Sequence, residues 1–401
     1  MKYVVLLCDG AADEPIASLG GKTPLEYAKT PNMDRLATLG RLGRMETTAP
    51  GLHAGSDTNN LNVMGFNPNA VYTGRSPLEA ASIGVEMADG DVSFRCNLVT
   101  LEGDGDRAVM ADYSGHDIKT EHGRIIMKAL DARLGSEDFT FYPGVSYRNL
   151  LLWRGGASKM RGIRTTAPHD ISDREIGDYL PTGPGSDALR HFMKESRKII
   201  AELVASEIPD CKATSAWFWG EGTRPNMPAF RDRTGLKGAV VSAVDLVKGI
   251  GRFAGMDVIE VPGATGWIDT NYEGKAAAGI HALEDHDYVF LHVEATDEAG
   301  HKGSAEQKVL ACEYFDRRIV APVLEALERR GDYRVLLTCD HPTPVATKTH
   351  TKDAVPFVYF DSSHPRAAGP RGFSEREAME SGVYYDNCRT LVGEFLGKAL
   401  D

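Results

Sequence analysis

Three short apolar runs that each lead into acidic or histidine residues constrain the fold of this chain more than any other feature. The runs are KYVVLLC (residues 2–8), DYVFLHVEA (287–295) and YRVLLTC (333–339). Short runs that are apolar almost throughout and rich in β-branched residues predict buried strands. Helical patterns follow these runs, and alternating strands and helices are typical of an α/β fold.

Helix signals lie between the predicted strands. Thr23-Pro24-Leu25-Glu26 has the form of a capping box with proline at the first helical position. A long helical pattern over residues 305–330 is followed by Gly331, which predicts a C-cap at that glycine. Because this helix joins the second and third apolar runs, we predict that those two strands are parallel and adjacent, as in a βαβ unit.

The middle of the chain follows a different pattern. Short strand candidates and one helix candidate are mixed between residues 88 and 212, whereas residues 237–261 return to a strand-and-helix pattern. A chain of 401 residues is long enough for two domains. We therefore predict a main domain formed by residues 1–87 and 213–401, with a smaller α/β domain inserted at 88–212.

Composition excludes several classes of function. The net charge of -12 provides no broad attraction to nucleic acid or to an anionic membrane. The six cysteines are scattered without a CxxC pair, which is typical of reduced thiols in a cytoplasmic protein. No apolar run reaches the length of a membrane span. We expect a cytoplasmic protein that acts on a small molecule, and the sequence sets no oligomeric state.

Potential metal ligands follow each of the three predicted strands. Singly, an aspartate after a strand is often a helix N-cap, and a histidine is more often an ordinary surface or core residue. Ligands gather at the carboxyl ends of parallel strands, however, and a set of six oxygen and nitrogen donors suits two divalent cations. Two such cations can stabilise the attacking and leaving oxygens of a phosphoryl displacement. The six residues are Asp9, Asp297, His301, Asp340, His341 and His350.

A candidate nucleophile lies in the loop GLHAGSD (residues 51–57). Ser56 comes at the start of a predicted helix, where the helix dipole and free N–H groups favour anions. Taken alone, Ser56 is better explained as an N-cap, with Asn59 and Asn60 as loop residues. Beside two cations its hydroxyl would become an activated nucleophile able to accept a phosphoryl group.

Several stretches together resemble the 2,3-bisphosphoglycerate-independent phosphoglycerate mutases. More closely, the chain is similar to their archaeal-type branch, within the alkaline phosphatase superfamily. The resemblance covers essentially the whole chain, and it implies a mostly parallel α/β sheet flanked by helices, with a smaller inserted phosphotransfer domain. The stretches that carry it are MKYVVLLCDGAADEP, GGKTPLEYAKTPNMDRLA, GLHAGSD, YTGRSPLEAASIG, FRCNLVT, EATDEAGH and CDHPTP followed by TH.

The resemblance also implies a reaction and a division of the ligands. One cation would take Asp297, His301 and His350, and the other would take Asp9, Ser56, Asp340 and His341. Ser56 would accept the phosphoryl group of 3-phosphoglycerate and return it to the 2-position, so no bisphosphoglycerate is required. Manganese is the cation that the resemblance favours, with magnesium, cobalt or zinc as alternatives.

Substrate contacts are expected from cationic and polar residues. Arginine suits bidentate contact with carboxylate or phosphate, and lysine suits a point charge near phosphate. An ordinary surface cation is the alternative explanation for each basic residue. The resemblance implies Arg224 and Lys237 in the main domain. In the inserted domain it implies Arg95, Asn97, His116, Arg148, His169 and Asp170.

One position departs from the family pattern and keeps other reactions open. Related mutases typically carry a histidine where this chain has Asn60, and asparagine cannot carry a proton. The metal chemistry is unaffected, but the phosphoryl acceptor is open. A related phosphotransferase that acts on homoserine is the first alternative, followed by a metal-dependent phosphatase and by a non-enzymatic module braced by metals.

Overall fold

The computed structural model describes residues 1–366, 369 and 371–400. The chain forms two compact units: unit 1 is Met1–Tyr72 with Asn226–Asp401, and unit 2 is Thr73–Pro225. Unit 2 begins before residue 88 and ends after residue 212, so its boundaries differ from the predicted ones. The reason is that the helix at Arg75–Ser82 and the strand at Ser215–Thr223 pack against the inserted segment.

Strands and helices alternate through most of the chain. The strands are β1 Lys2–Cys8, β2 Arg41–Met45, β3 Val92–Glu102, β4 Val109–Asp112, β5 Phe139–Val145, β6 Arg148–Trp153, β7 Ser215–Thr223, β8 Gly238–Val241, β9 Asp257–Ile259, β10 Tyr288–Val293, β11 Tyr333–Thr338, β12 Val355–Asp361 and β13 Tyr384–Tyr385. The α-helices are α1 Pro24–Tyr27, α2 Pro31–Leu39, α3 Ser56–Val63, α4 Pro68–Val71, α5 Arg75–Ser82, α6 Thr120–Leu134, α7 Ser186–Ser206, α8 Phe230–Thr234, α9 Asp245–Phe253, α10 Tyr272–Asp285, α11 Ala295–His301, α12 Ala305–Phe315, α13 Ala321–Glu328, α14 Glu375–Glu380 and α15 Cys388–Leu396.

Unit 1 contains a mostly parallel sheet of eight strands in the order β13-β2-β12-β11-β1-β10-β8-β9. The run from β11 to β9 is parallel, and β12 is antiparallel to both of its neighbours. The apolar residues of β1, β10 and β11 are buried almost completely, because helices pack on the sheet. The predicted α/β fold class is confirmed.

The predicted adjacency of the second and third apolar runs is wrong. β10 and β11 are parallel, but each pairs with β1 and they lie on opposite sides of it. The helical connection therefore crosses over one strand position. A local strand–helix–strand pattern cannot reveal that a strand from the beginning of the chain occupies the place between them.

The long helical pattern before β11 is interrupted. α12 and α13 are joined by a π-helical segment at Asp316–Val320, and Pro322 lies in the first turn of α13. Proline has no N–H to donate to the preceding turn, and a widened turn is a common response to such a gap. The helix ends with Arg329 as its C-cap, so the prediction of Gly331 as the cap is wrong by two residues.

Unit 2 is built around an antiparallel sheet. β3 is central and pairs with β4, β6 and β7, and β5 pairs with β6. Helices α6 and α7 cover this sheet, and together they bury a separate apolar core that includes Phe94, Trp217 and Phe218. Unit 2 thus has a core of its own.

Two absences concern the described part of the chain. Its helices include none that combines the length and the apolar character needed to span a bilayer. All six cysteines are free thiols buried in the protein.

Candidate metal centre and nucleophile

The carboxyl edge of the unit 1 sheet gathers the six predicted ligands. Leu7 in β1 pairs with Thr338 in β11, so two residues further along the chain Asp9 lies beside Asp340. On the other side of β1, the Asp9 N–H donates to the carbonyl of Val293, the last residue of β10. Asp297 follows directly in α11. Parallel register therefore brings residues that are almost 300 positions apart to one edge of one sheet.

One cluster consists of Asp297, His301 and His350. Asp297 and His301 are four residues apart in α11, so they share a helix face, and the carboxylate Oδ2 lies 3.2 Å from His301 Nε2. His350 Nε2 lies 3.4 Å from Asp297 Oδ1 and 3.0 Å from His301 Nε2. The three ligand atoms lie within 4.8 Å of one another, close enough to bind one cation.

A second cluster consists of Asp9, Asp340 and His341, and all three side chains are fully buried. Asp340 Oδ1 accepts hydrogen bonds from the Gly10 and His341 N–H groups, and Oδ2 accepts one from Asn60 Nδ2. Asp9 Oδ1, in contrast, is a buried carboxylate oxygen without a hydrogen-bond partner among the described residues. A buried charged oxygen is costly unless something compensates it, so the cluster fits a bound divalent cation.

Ser56 lies at the second cluster. Its Oγ is 3.2 Å from His341 Nε2. The N-cap of α3 is Gly55, and Ser56 is the first helical residue, so the interpretation of Ser56 as an N-cap does not describe the structure. Its hydroxyl is directed at the ligand cluster at the N-terminus of a helix that favours anions.

The two clusters are in contact through histidine rings and a threonine. The rings of His341 and His350 stack with their centroids 3.9 Å apart. Thr343 Oγ1 donates to Asp297 Oδ1 at 2.5 Å and lies 3.2 Å from His341 Nδ1. The loop after β11 therefore carries Asp340 and His341 of the second cluster and His350 of the first. Its Thr343 also holds the Asp297 carboxylate of the first cluster.

The electrostatics of the two clusters differ. Burial raises the pKa of Asp9 well above its usual value, and the neighbouring Asp340, Asp297 and Glu294 raise it further. Burial also acts to raise the pKa of Asp297, but hydrogen bonds with His301 and His350 outweigh it and hold that pKa well below the usual range. The hydrogen bond with Asp297 raises the pKa of His301 to about 9. Excess negative charge is thus concentrated around Asp9, where a cation would relieve it.

Sequence reasoning missed three polar residues around the candidate ligands: the fully buried His292 and Lys275, and the partly buried Glu294. His292 interrupts the apolar run of β10, and its Nε2 lies 2.7 Å from Asp9 Oδ2. Burial lowers the pKa of His292 to about 3, raises the pKa of Glu294 to about 8 and lowers the pKa of Lys275 to about 8. A polar residue within an apolar strand was the available signal for His292, whereas the burial of Lys275 in α10 left none.

Four of the predicted substrate contacts lie together in unit 2. Arg95 and Asn97 are alternate residues of β3, so their side chains share a face of the sheet. The Arg95 guanidinium lies 4.1 Å from the ring centroid of Trp219, and the Trp219 indole N–H donates to Asn97 Oδ1 at 3.0 Å. The His169 ring lies 5.2 Å from the same indole. Arg148 opens β6 directly opposite Asn97 in the register.

Two further residues belong to this group and were missed as contacts. Glu79 in α5 accepts from Arg95 Nε at 2.9 Å and from Arg75 Nε at 3.1 Å. Burial lowers the pKa of the Arg95 guanidinium, and Arg75 and Arg148 lower it further although Glu79 opposes them. Arg75 lies in the quoted stretch YTGRSPLEAASIG, but nothing in its spacing pointed to Arg95. The group concentrates positive charge and suits an anionic ligand.

The remaining predicted contacts lie elsewhere. His116 is exposed with its Nδ1 4.0 Å from Asp112, and Asp170 is exposed next to His169. Arg224 belongs to unit 2 rather than to the main domain, and it pairs with Asp89 at 2.9 Å. Lys237 directly precedes β8, so it lies at the amino edge of the sheet, opposite the ligands. Its ammonium pairs with Asp257 at 3.5 Å.

This chain is similar to known proteins in both sequence and fold. The sequence profile described as 2,3-bisphosphoglycerate-independent phosphoglycerate mutase matches residues 37–204. A probable enzyme of that description from Geobacter sulfurreducens is 49% identical over 99% of this chain and 100% of its own length. The corresponding protein of Methanosarcina barkeri is 46% identical over 98% of both chains. The structure of a cofactor-independent phosphoglycerate mutase from Thermoplasma acidophilum shares the fold, with a TM-score of 0.69 at 24% identity over 99% of this chain and 100% of that one.

Proposed function

Because the chain belongs to the family of 2,3-bisphosphoglycerate-independent phosphoglycerate mutases, an isomerase family, we propose that it interconverts 3-phosphoglycerate and 2-phosphoglycerate. We propose further that the reaction passes through a phosphoserine at Ser56. The observation that carries the proposal is the position of Ser56 Oγ, 3.2 Å from His341 Nε2, in a cluster whose members include three fully buried ligand side chains.

Each transfer exchanges one phosphorus–oxygen bond for another. Ser56 Oγ attacks the phosphorus of 3-phosphoglycerate, so the Oγ–P bond forms and the bond to the 3-oxygen breaks. The hydroxyl proton of Ser56 ends on the 3-hydroxyl of glycerate. The 2-hydroxyl then attacks the phosphoserine, the Oγ–P bond breaks, and the proton of the 2-hydroxyl returns to Ser56. No second phosphate donor enters.

Two sets of residues in unit 1 provide the proposed cation sites. Asp297, His301 and His350 would hold one divalent cation, and Asp9, Asp340 and His341 with Ser56 would hold the other. Manganese is the ion that we expect first. Two such cations would lower the pKa of the serine hydroxyl and neutralise charge on the transferred group. The N-terminus of α3 adds N–H groups directed at the same position.

Unit 2 supplies the recognition of glycerate and phosphate in this proposal. Arg95 and Arg148 provide guanidinium groups for carboxylate or phosphate, and Asn97 and His169 provide neutral polar contacts. Glu79 orients Arg95, and its carboxylate offsets the repulsion between the guanidiniums of Arg95 and Arg75. Lys237 has no part in the proposal, because it lies at the opposite edge of the sheet.

The test is a coupled assay with enolase. The metal-loaded protein is given 3-phosphoglycerate without bisphosphoglycerate, and formation of 2-phosphoglycerate is followed. We expect activity that chelation removes and that falls by at least about 1,000-fold in Ser56→Ala, since the covalent route is lost. Mass spectrometry of protein quenched during turnover should find one added phosphoryl group, at Ser56.

Ser186→Ala is the matched control. Ser186 is also the first residue of a helix, after the N-cap Gly185, but it belongs to α7 of unit 2, whereas the candidate metal ligands all belong to unit 1. It should keep activity. Transfer of phosphate to homoserine without isomerisation would overturn the mutase proposal and retain the nucleophile. Free phosphate as the sole product would instead indicate a phosphatase.

A further inference from the structure

His292 is a fully buried histidine that contacts the ligand Asp9 from the neighbouring strand. In the parallel register of β1 and β10 it pairs with Leu7, and Asp9 lies two residues beyond Leu7 on the same face of the sheet. His292 Nε2 lies 2.7 Å from Asp9 Oδ2. The other oxygen of the same carboxylate, Oδ1, has no hydrogen-bond partner among the described residues.

The partners of His292 assign its ring proton to Nε2, because an ionised Asp9 carboxylate can only accept a hydrogen bond. Nδ1 is then an acceptor, and the Ser242 hydroxyl, which accepts from the Val244 N–H at 3.0 Å, has one proton to donate to it. Ser242 Oγ lies 3.2 Å from His292 Nδ1. With Nδ1 accepting, the neutral ring carries its proton on Nε2 and donates to Asp9 Oδ2. Ser242, His292 and Asp9 are all buried, and each has a compatible partner.

We propose that His292, held by Ser242, is a positioning residue that occupies one oxygen of Asp9 and leaves only Oδ1 to bind the cation at the nucleophile. This inference rests on the two-cation site of the proposed function. The bound ring fixes the orientation of the carboxylate, since rotation of Asp9 would break the hydrogen bond. A ligand held in place before the cation arrives loses less entropy on binding.

A purely structural role predicts a different outcome. If His292 only satisfied a buried carboxylate, removing it would change the stability of the metal-free protein without a selective change in one metal site. Positioning predicts the converse, because loss of the hydrogen bond frees the carboxylate to rotate or to bind through both oxygens. The affinity for one cation should then fall even where the metal-free protein folds normally.

The test is titration of metal-free protein with Mn²⁺ by calorimetry. To isolate the site of interest, the variants are made in a His350→Ala background, where only the Asp9, Asp340 and His341 site remains. Ser242→Ala and His292→Leu should weaken Mn²⁺ binding by about 10- to 100-fold. His292→Gln, whose amide N–H can replace the Nε2 donor, should restore affinity to within about tenfold of the parent.

Two controls separate folding from positioning. Ser196→Ala removes an equally buried serine that is hydrogen bonded in unit 2, and it should leave Mn²⁺ binding unchanged. Thermal unfolding of each metal-free variant identifies any that fail to fold. The nitrogen chemical shifts of His292 in ¹⁵N-histidine-labelled protein should show a proton on Nε2 in the parent and an altered tautomer in Ser242→Ala.

The outcomes distinguish this inference from the proposed function. Parental affinity in folded Ser242→Ala and His292→Leu would overturn the inference alone. The absence of Mn²⁺ binding in the unmutated protein would overturn both the two-cation site and the inference. The expected losses in a protein that does not isomerise phosphoglycerate would support the positioning role while overturning the mutase reaction.

Discussion

At the scale of single residues, Asn60 shows how this chain holds the proposed metal ligand Asp340. Its Nδ2 donates to Asp340 Oδ2 at 2.8 Å and to the Ser56 carbonyl at 2.9 Å. The preceding residue, Asn59, donates to the Asp340 carbonyl at 2.9 Å. The amide of Asn60 therefore braces the proposed metal ligand Asp340 and the turn that carries Ser56, the proposed nucleophile.

We predict that Asn60→Ala weakens metal binding at the nucleophile by about tenfold or more, since Asp340 loses the donor on Oδ2. Calorimetric titration with Mn²⁺ measures the change. Asn62→Ala is the control: Asn62 lies in the same helix, is also buried and donates to the Thr47 carbonyl, but contacts no ligand. Both variants should lose stability, and equal loss of metal affinity in both would contradict the assignment.

His350 distinguishes the two clusters best, because it belongs to the cluster of Asp297 and His301 while its ring stacks on His341 of the other cluster. We predict that His350→Ala reduces the bound Mn²⁺ from two ions per chain to one, because Asp297 and His301 alone form a poor site. Metal analysis after dialysis gives the count. The exposed His364, which lies 3.8 Å from Asp361, provides the control variant His364→Ala. Retention of two Mn²⁺ ions by His350→Ala would mean that His350 is not a metal ligand.

At the scale of secondary-structure elements, Gly10 allows β1 to turn at the site. Its φ is +61°, in the left-handed region, and its N–H donates to Asp340 Oδ1. A Cβ at this position would lie 2.6 Å from Asp297 Oδ1 and from Thr343 Oγ1. The strand end, helix α11 and the loop after β11 can approach one another only because this residue has no side chain.

We predict that Gly10→Ala destabilises the protein by more than the ~1–2 kcal/mol expected for a left-handed alanine and displaces Asp297. Gly20→Ala isolates the backbone contribution, because Gly20 has a φ of +69° and nothing within 4 Å of the added Cβ. Urea unfolding compares the two variants, and Mn²⁺ titration should show a lost site only in Gly10→Ala. Equal effects would mean that the close approach is unimportant.

The sequence predicted the strands and the candidate ligands that follow them, but it did not predict which strands are neighbours in the sheet. The strands that precede Asp9, Asp297 and Asp340 were recognisable, because an apolar run followed by a carboxylate is a local pattern. The neighbours of those strands were not, since β1 inserts between β10 and β11 from the far end of the chain. His292 was visible as a polar residue in an apolar run, but its role was hidden for the same reason, because that role depends on the register with Leu7, which no local pattern contains.

At the scale of the whole molecule, a buried polar cluster ties together distant segments of unit 1. Lys308 is fully buried, and its ammonium donates to Asp13 Oδ2 at 2.7 Å and to the Thr343 carbonyl at 2.8 Å. Glu375 of α14 accepts from the Asp13 N–H and from Thr23 Oγ1. The cluster therefore connects the loop after β1, α12, the loop after β11 and α14. It braces the loop after β11, which carries three of the proposed metal ligands.

Glu375 should make the stability of this assembly depend on pH. Burial raises its pKa from 4.5 to about 7, so the folded protein binds an extra proton between those values and stability falls as pH rises through that window. In Glu375→Gln the amide accepts from Asp13 and donates to Thr23, and the decline should shrink by on the order of 2 kcal/mol. Urea unfolding of metal-free protein at pH 5 and 8 measures this decline in the free energy of unfolding.

Glu380→Gln, at the exposed end of α14, is the control, and its free energy of unfolding should decline as it does in the parent. An unchanged decline in Glu375→Gln would mean that this carboxylate titrates normally.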